Sequence, residues 1–280
     1  MVIRRVSVFS KDYKGGNKAA VVVETTKLTD EARKQMAKQI GYSETVFLQT
    51  QADGIFFARF FTPNQEVEMC GHASIAAYAV LKKEGTVKSE GAFVMETKAG
   101  KIELHEEEER IFLQMPRAKI VRKLDRKDSQ RLRQIMSPSQ FCQSEESYPI
   151  VQCGLADIMF RTKSQEELNN LCPDFEGMKE LSREQGVVGV HAYFFEPEQM
   201  RIYARNFAPL YEIEEEAATG TSNAGLAFFL WNKGDQLQNK CYEVIQGEAM
   251  GAPSLIEARV ELTNHKPICY VGGLIRYMSE

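Results

Sequence analysis

Short runs of hydrophobic residues, each bounded by turn-forming residues, follow one another along most of the chain. Four representative runs are Ile3–Phe9, Phe56–Phe61, Asp157–Arg161 and Leu255–Leu262. Runs of this length that are rich in β-branched and aromatic residues are typical of strands. The pattern therefore predicts a mostly antiparallel β architecture that helices interrupt sparingly.

Two segments have the polar and apolar spacing of surface helices. In Thr29–Ile40, Thr29 is suited to the N-cap position and Gly41 provides a C-terminal stop. In Ser164–Leu171, the capping-box spacing of Ser164 and Glu167 marks the helix start. We expect both helices to present one face to solvent.

Two other helical segments, Ala73–Leu81 and Asn223–Trp231, are apolar on every side. A helix without a polar face has to be surrounded by other structure. In a chain rich in strands, a sheet curled around each helix provides that surrounding. The sequence therefore predicts an α+β fold with two barrel-like β domains, each around a central buried helix.

An internal repeat supports two related halves. The run Arg59-Phe60-Phe61-Thr62-Pro63 recurs 146 residues later as Arg205-Asn206-Phe207-Ala208-Pro209. Each copy leads to a helix that begins at a glycine, Gly71 or Gly220, and this shared order indicates duplication. We predict pseudo-symmetric domains at 1–117 and 118–280, with a last strand able to pack back on the first domain. The charged stretch Lys119–Gln140 should hold the crossover and a surface helix, without a strand.

Composition describes an ordinary water-soluble globular chain of 280 residues, with 43% hydrophobic and 26% charged residues. Thirty-five basic residues are scattered among 39 acidic ones, which does not suggest a nucleic-acid partner. The six cysteines are widely spaced and form no metal-ligand motif, which favours reduced thiols and no bound metal. Neither a signal peptide nor a membrane span is indicated, so we expect a cytoplasmic protein without a membrane partner.

The starts of the two apolar helices are candidate anion sites. Free N–H groups and the positive end of the helix dipole favour a carboxylate or phosphate there. Glycine at Gly71 and Gly220 lets a ligand approach the backbone, while Thr221 and Ser222 can add hydroxyl donors. With two pseudo-symmetric domains, we expect these starts to face each other across an interdomain cleft. Ordinary helix capping explains either start alone equally well.

Three side chains near these segments could carry acid–base chemistry. Glu44 lies in an apolar strand pattern, where burial would raise its pKa towards the range used in proton transfer; alternatively, it lies solvated at the strand's mouth. His72 follows Gly71 and titrates near neutral pH. Cys70 is placed where a helix start lowers a thiol pKa, although buried cysteines usually serve packing.

An ordered set of motifs resembles the phenazine-biosynthesis PhzF-like family. The matching segments are Gly16-Asn17-x-Ala19-Ala20-Val21, Ser43-Glu44-Thr45-Val46-Phe47-Leu48, Arg59-x-Phe61-Thr62-Pro63, Cys70-Gly71-His72-Ala73, Phe207-Ala208-Pro209 and Thr219-Gly220-Thr221-Ser222. The resemblance implies the diaminopimelate-epimerase-like fold, with the active site between two barrels. It also implies an isomerase that needs no cofactor and is commonly a homodimer.

The resemblance also implies roles for individual residues. In the isomerisation of trans-2,3-dihydro-3-hydroxyanthranilate, the family glutamate that carries the proton corresponds to Glu44, and the Gly-His motif corresponds to His72. Glu216 stands where the family has an aspartate, Thr221 corresponds to the hydroxyl that follows the family's second Thr-Gly, and Asn17 lies in the matching Gly-Asn segment as a candidate substrate-binding residue. Cys70 matches one cysteine of the two-cysteine racemases of this fold, but alanine occupies the second position, at Ala217.

The sequence therefore predicts an isomerase that moves a proton between carbons of a small carboxylated cyclic substrate. Its predicted catalytic residues are Glu44, His72 and Glu216, and its predicted substrate-binding residues are Asn17, Gly71, Gly220, Thr221 and Ser222. One alternative is an amino-acid racemase or epimerase of the same fold that uses one base. Another is a small-molecule binding protein without catalytic activity.

Overall fold

The computed structural model describes residues 2–12, 14–50, 55–87, 91–137, 147–234 and 238–278. They divide into two compact units, unit 1 (Met1–Gln114 with Gly272–Glu280) and unit 2 (Met115–Val271). The predicted domains at 1–117 and 118–280 stay a prediction. None of the described helices has the length and apolarity that crossing a bilayer requires.

Unit 1 is built from short strands around one buried helix. Its elements are β1 (Val2–Val8), β2 (Asn17–Val23), α1 (Asp30–Ile40), β3 (Glu44–Thr50), β4 (Phe56–Phe61), β5 (Glu66–Val67), α2 (Gly71–Lys83), β6 (Phe93–Thr97), β7 (Gly100–Glu107) and β8 (Arg110–Gln114). The last strand of the chain, β17 (Lys266–Tyr277), pairs with both β8 and β1. Together with the pairings β1–β2–β3–β4–β6–β7–β8, it closes a ring of strands. The predicted β-barrel is confirmed in this unit.

Among the residues that the structure describes, unit 2 is also built from short strands and has one buried, mostly apolar helix, with three further helices. Its elements are β9 (Lys119–Lys123), α3 (Arg126–Met136), β10 (Pro149–Cys153), β11 (Leu155–Arg161), α4 (Gln165–Asn169), α5 (Phe175–Gln185), β12 (Gly189–Glu196), β13 (Arg201–Ala208), β14 (Ile213–Glu216), α6 (Gly220–Lys233), β15 (Lys240–Gln246) and β16 (Ser254–Thr263). Residues of α3 and α5 pack with Phe160 and Phe207 in one apolar core.

The apolar helices are surrounded by strands, as their composition requires. Every residue from His72 to Leu81 in α2 is buried, and the helix packs on β1, β2, β3 and β8. Helix α6 packs on β9, β10, β11, β15 and β16. Close packing also fixes β17, because a Cβ atom at Gly272 would lie 2.3 Å from Cδ1 of Phe112.

The strand pairings follow the same succession inside each unit. In unit 1, β1 to β5 make antiparallel, parallel, antiparallel and antiparallel pairs in turn, and a parallel β4–β6 pair follows. In unit 2, β10 to β14 and then β13–β15 repeat that order of directions. An antiparallel pair, β6–β7 or β15–β16, comes next in both.

The recurring Arg-x-Phe segments form matching clusters on β4 and β13. The guanidinium of Arg59 lies over the ring of Phe61 and binds both carboxylate oxygens of Glu66, at 2.7 Å each. The guanidinium of Arg205 lies over Phe207 and binds Glu215 through both oxygens, at 3.0 and 2.8 Å. The repeat found in the sequence therefore corresponds to the same local contacts in both units.

One expectation about secondary structure is wrong, and one predicted helix is shorter than expected. The stretch Lys119–Gln140 contains strand β9 as well as α3, and its last three residues lie outside the described residues. The strand escaped notice because all five of its residues are at least partly exposed and three are basic. The helix predicted at Ser164–Leu171 is shorter, ending at Asn169, while its N-cap at Ser164 is present.

Candidate active site

The starts of the buried helices differ from those of the other described helices. Helices α1, α3, α4 and α5 each have an N-cap side chain that accepts a hydrogen bond from a first-turn N–H; the caps are Thr29, Asp125, Ser164 and Asp174. In α2 and α6, the N-cap residues Cys70 and Thr219 make no such bond. Ordinary side-chain capping therefore does not account for these two starts, and their N–H groups keep the capacity to bind an anion.

Glu44 and His72 meet beside the start of α2. Glu44 is the first residue of β3 and its side chain is 19% exposed, while that of His72, in the first turn of α2, is 6% exposed. Oε2 of Glu44 lies 3.2 Å from Nε2 of His72, within ion-pair distance. Among the described residues, neither atom has a well-aligned hydrogen-bond partner. Both therefore keep hydrogen-bonding capacity for a ligand.

Of the two alternatives for Glu44, the one in which burial raises its pKa is wrong. Burial acts in that direction, but the attraction of His72 and hydrogen bonds from neighbouring side chains outweigh it, so the pKa of Glu44 is lowered. Burial likewise acts to lower the pKa of His72, but its contacts with Cys70 and Glu44 raise it well above the ordinary value. Glu44 is thus a carboxylate at neutral pH, with a protonated Nε2 of His72 beside it.

Asn17 and Ser43 support this pair from β2 and from the residue before β3. Nδ2 of Asn17 lies 3.3 Å from Nδ1 of His72, and the Ser43 hydroxyl donates to Oδ1 of Asn17 at 3.4 Å. In the neutral form of the ring, Nδ1 accepts from this amide nitrogen, which can only donate, and the ring proton is on Nε2. Asn17 thus orients the imidazole towards Glu44.

Cys70 lies close enough to His72 and Glu44 to interact with both. Its Sγ is 3.4 Å from Nδ1 of His72, and burial together with the charge of Glu44 raises the thiol pKa. Of the two alternatives for Cys70, activation of the thiol by the helix start is therefore wrong. Sulfur, nitrogen and oxygen donors of the three residues lie within 4.8 Å of one another, a set that zinc could use. The absence of a bound metal stays a prediction.

The other predicted site residues lie at the start of α6, inside unit 2. Gly220 is the first residue of this helix, and the Thr221 hydroxyl has no hydrogen-bond partner among the described residues. Ser222 is buried, and its hydroxyl donates to Asp157 at 2.7 Å. Glu216, at the end of β14, accepts a hydrogen bond from the Thr219 hydroxyl at 2.9 Å. Of these side chains, those of Ser222 and Glu216 already have hydrogen-bond partners within the unit.

A buried polar cluster behind α6 was missed in the sequence. It comprises Asp157, His191, Asn206, Asn223 and Gln246, all at most 2% exposed. Burial raises the pKa of Asp157 to about 6, and burial lowers that of His191 to about 4. An aspartate beginning the apolar run Asp157–Arg161 was the available signal, because a carboxylate on a buried strand needs partners.

The fold and the two helix starts define a class of protein: a β-barrel protein with a carboxylate–imidazole pair at an uncapped buried helix. A model of the family described as phenazine biosynthesis-like protein, PhzC-PhzF, matches residues 6–274. The chain belongs to this family, which confirms the resemblance found in the sequence.

Known proteins agree with this assignment. The chain is 34% identical over 269 residues to an uncharacterized isomerase of Deinococcus radiodurans, covering 92% of this chain and 86% of that protein. It is similar in fold to a PhzF-family protein of Bacillus anthracis (TM-score 0.82, 19% identity, 100% and 98% of the two chains). It is also similar in fold to a hydroxyproline epimerase of Agrobacterium vitis solved with trans-4-hydroxy-L-proline (TM-score 0.61, 11% identity, 99% and 91%). The predicted enzyme class, a PhzF-like isomerase, is confirmed.

Proposed function

We propose that this isomerase moves a proton between carbons of a small carboxylated cyclic substrate, without a cofactor. The observation that carries the proposal is the contact between Glu44 and His72 at the uncapped start of α2. A carboxylate that is ionised and within reach of a bound ligand can accept a proton from carbon. The same group, once protonated, can return that proton to another carbon.

The proposed substrate carboxylate binds at the first turn of α2. The backbone N–H groups of Gly71 and His72 lie there without a side-chain cap, and the helix dipole favours negative charge. An anion at this position also competes with Glu44 for the proton on His72. Loss of that partner raises the pKa of Glu44, so substrate binding strengthens the base.

For the start of α6, we propose the roles predicted from the sequence. Glu216 and Thr221 orient the ring or amine of the substrate, and the backbone at Gly220 and Ser222 stabilises developing negative charge. The free Thr221 hydroxyl and the absence of a side-chain cap on α6 support this proposal. Asn17 contributes by orienting His72.

The proposal is tested by proton exchange in heavy water. The protein is incubated with candidate carboxylated cyclic amines, and deuterium at carbon is followed by NMR and mass spectrometry. Glu44→Gln should lower the exchange rate by about 10²–10⁴-fold, the usual contribution of a positioned acid–base group. Glu31→Gln, on the exposed face of α1, is the matched control and should keep the rate. Full exchange by Glu44→Gln would refute the mechanism, and tight binding without exchange would indicate a binding protein.

A one-base racemase or epimerase is the second candidate function. In this candidate Glu44 is the single base, and the fold similarity to a hydroxyproline epimerase favours it. This candidate predicts that an L-amino acid such as proline loses optical activity as deuterium enters at its α-carbon. If deuterium enters while the proton moves from one carbon of the substrate to another, and no racemisation is seen, the isomerase is supported instead.

Two further parts of the proposal concern architecture and assembly. We propose that the units arose by duplication as pseudo-symmetric barrels, supported by their common succession of pairings and their matching Arg59 and Arg205 clusters. We also propose a cytoplasmic homodimer. Light scattering at micromolar concentration should give twice the mass of the 31.8 kDa chain, and a monomer mass would contradict it.

A further inference from the structure

An unbroken series of hydrogen bonds in unit 2 runs from Asp157 to Glu216. Its members, in order, are Asp157, Ser222, Asn206, His191, Asn223, Gln246, Thr219 and Glu216. The proposed reaction uses only the last carboxylate and the backbone near Ser222. The central residues therefore call for a separate explanation.

The direction of the first bonds is fixed by Asn206. Its amide nitrogen donates to Oγ of Ser222 at 3.2 Å and lies 3.1 Å from Nδ1 of His191. An amide nitrogen only donates, so Nδ1 accepts and the proton of the neutral ring is on Nε2. Nε2 then donates to Oδ1 of Asn223 at 3.0 Å.

The remaining bonds follow with no freedom of direction. Nδ2 of Asn223 donates to Oε1 of Gln246 at 2.7 Å. Nε2 of Gln246 donates both to the backbone oxygen of Glu216, at 2.6 Å, and to Oγ1 of Thr219, at 3.1 Å. Since Oγ1 is an acceptor from Gln246, its one hydrogen is available for Oε2 of Glu216, 2.9 Å away. Gln246 thus holds Glu216 at the backbone and, through Thr219, at the carboxylate.

Satisfying buried polar groups does not by itself explain the last bond. Glu216 and Thr219 are both partly exposed, so water could serve the carboxylate and the hydroxyl. Thr219 is also the N-cap residue of α6, a position where a threonine hydroxyl ordinarily accepts a first-turn N–H. Here the hydroxyl is directed to Glu216 instead, and the first turn keeps its N–H groups.

We propose that Gln246 is a positioning residue, which turns the Thr219 hydroxyl towards Glu216 and holds that carboxylate in one place beside the start of α6. The proposal rests on the role of Glu216 in the proposed function. Gln246 is a fully buried residue of β15. In this proposal it influences the orientation of the substrate through Thr219 and Glu216, without touching the substrate. The neutral amides and imidazole between the two carboxyl groups transmit orientation through aligned hydrogen bonds.

The test compares Thr219→Val, which removes the hydroxyl at nearly constant volume, with Thr219→Ser, which keeps it. The titration of the Glu216 carboxylate is followed by ¹³C NMR on glutamate-labelled protein, with the resonance assigned from Glu216→Gln. Loss of a hydrogen bond to the ionised carboxylate should raise its measured pKa by about one pH unit in Thr219→Val. Thr219→Ser should restore the original titration to within a few tenths of a unit.

Gln246→Met supplies a second variant, since it keeps the volume and removes both donors. We expect Gln246→Met to raise the measured pKa of the Glu216 carboxyl, as Thr219→Val does. An unchanged titration in Thr219→Val, or no recovery in Thr219→Ser, would overturn the proposal. A titration that moves as expected, while Glu216→Gln keeps full exchange activity, would support the positioning and refute the role of Glu216 in the reaction.

Discussion

Replacing Asp157 by asparagine should change how the stability of the protein depends on pH. The side chain is 2% exposed; Oδ2 accepts a hydrogen bond from Ser222, and Oδ1 has no partner among the described residues. Burial therefore raises its pKa from 3.8 to about 6. Asparagine keeps the oxygen that Ser222 needs and cannot ionise.

The sign and size of the effect follow from linkage between protonation and folding. A carboxyl group whose pKa is raised on folding contributes stability below its unfolded pKa of 3.8 and loses it as the pH rises through about 6. A displacement of about two pH units, at about 1.4 kcal/mol for each, corresponds to about 3 kcal/mol. Asp157→Asn should therefore gain about 2–3 kcal/mol relative to the natural chain between pH 4 and pH 8.

The assay is urea unfolding of both proteins at several pH values across that interval. The quantity of interest is how the difference in free energy of unfolding between Asp157→Asn and the natural chain changes with pH. The unpartnered amide of the new asparagine adds a cost to that difference, but the cost does not vary with pH. Asp12→Asn, which removes one exposed carboxylate, controls for net charge. If this difference in free energy of unfolding changes by less than about 1 kcal/mol between pH 4 and pH 8, the argument that burial raises the pKa of Asp157 is refuted.

His191 should mask this effect in the natural chain. Burial lowers its pKa from 6.5 to about 4, so the stability it contributes is present above pH 6.5 and is lost as the pH falls towards 4. The shift in the pKa of His191 corresponds to about 3 kcal/mol of stability. It changes the stability over nearly the same pH interval as the shift of Asp157, but in the opposite direction. We therefore expect the pair to contribute little net pH dependence until Asp157 is replaced.

Three other predictions concern the scaffold and the site. Glu24→Gln should lower the free energy of unfolding by about 1–3 kcal/mol, measured in denaturant, because Arg33 loses an ion pair between side chains that are each 1% exposed, while its ion pair with Asp30 remains. Gly189→Ala should cost about 3 kcal/mol or more, since the new Cβ would lie 1.8 Å from the backbone oxygen of Phe207; unchanged thermal stability would contradict the packing. His72→Gln should be less stable than the natural chain at pH 6, and the difference should shrink as the pH rises well above neutrality, because the raised pKa of His72 contributes stability that deprotonation removes.

Features encoded by local patterns could be predicted from the sequence. The all-apolar segments after Gly71 and Gly220 required surrounding strands, and the structure provides them around α2 and α6. The spacing of Arg59 and Phe61 was enough to find the repeat, although not the carboxylate that completes the cluster. Helix starts such as Thr29 were predictable because a cap depends on residues three positions apart.

Features that depend on distant partners could not be predicted in this way. The pKa direction of Glu44 reverses because His72 packs against it, and nothing in the strand pattern around Glu44 specifies that neighbour. Helix α5, absent from the predictions, follows Asp174 and carries only a few apolar positions. The cluster behind α6 draws on five separate segments, and a residue such as Gln246 looks ordinary at the end of its strand.

The two helix starts share their position in the strand succession but use different chemistry. Beside α2, a carboxylate and an imidazole attract each other and shift each other's pKa, so this group can exchange a proton with a ligand. Behind α6, the residues between Asp157 and Glu216 are uncharged, because His191 stays neutral above about pH 4. A neutral series of fixed direction can orient a group over a wide pH range, and it has no proton of its own to give at neutral pH. The two helix starts are thus alike in position, and the buried partners of each make one suited to proton transfer and the other to orientation.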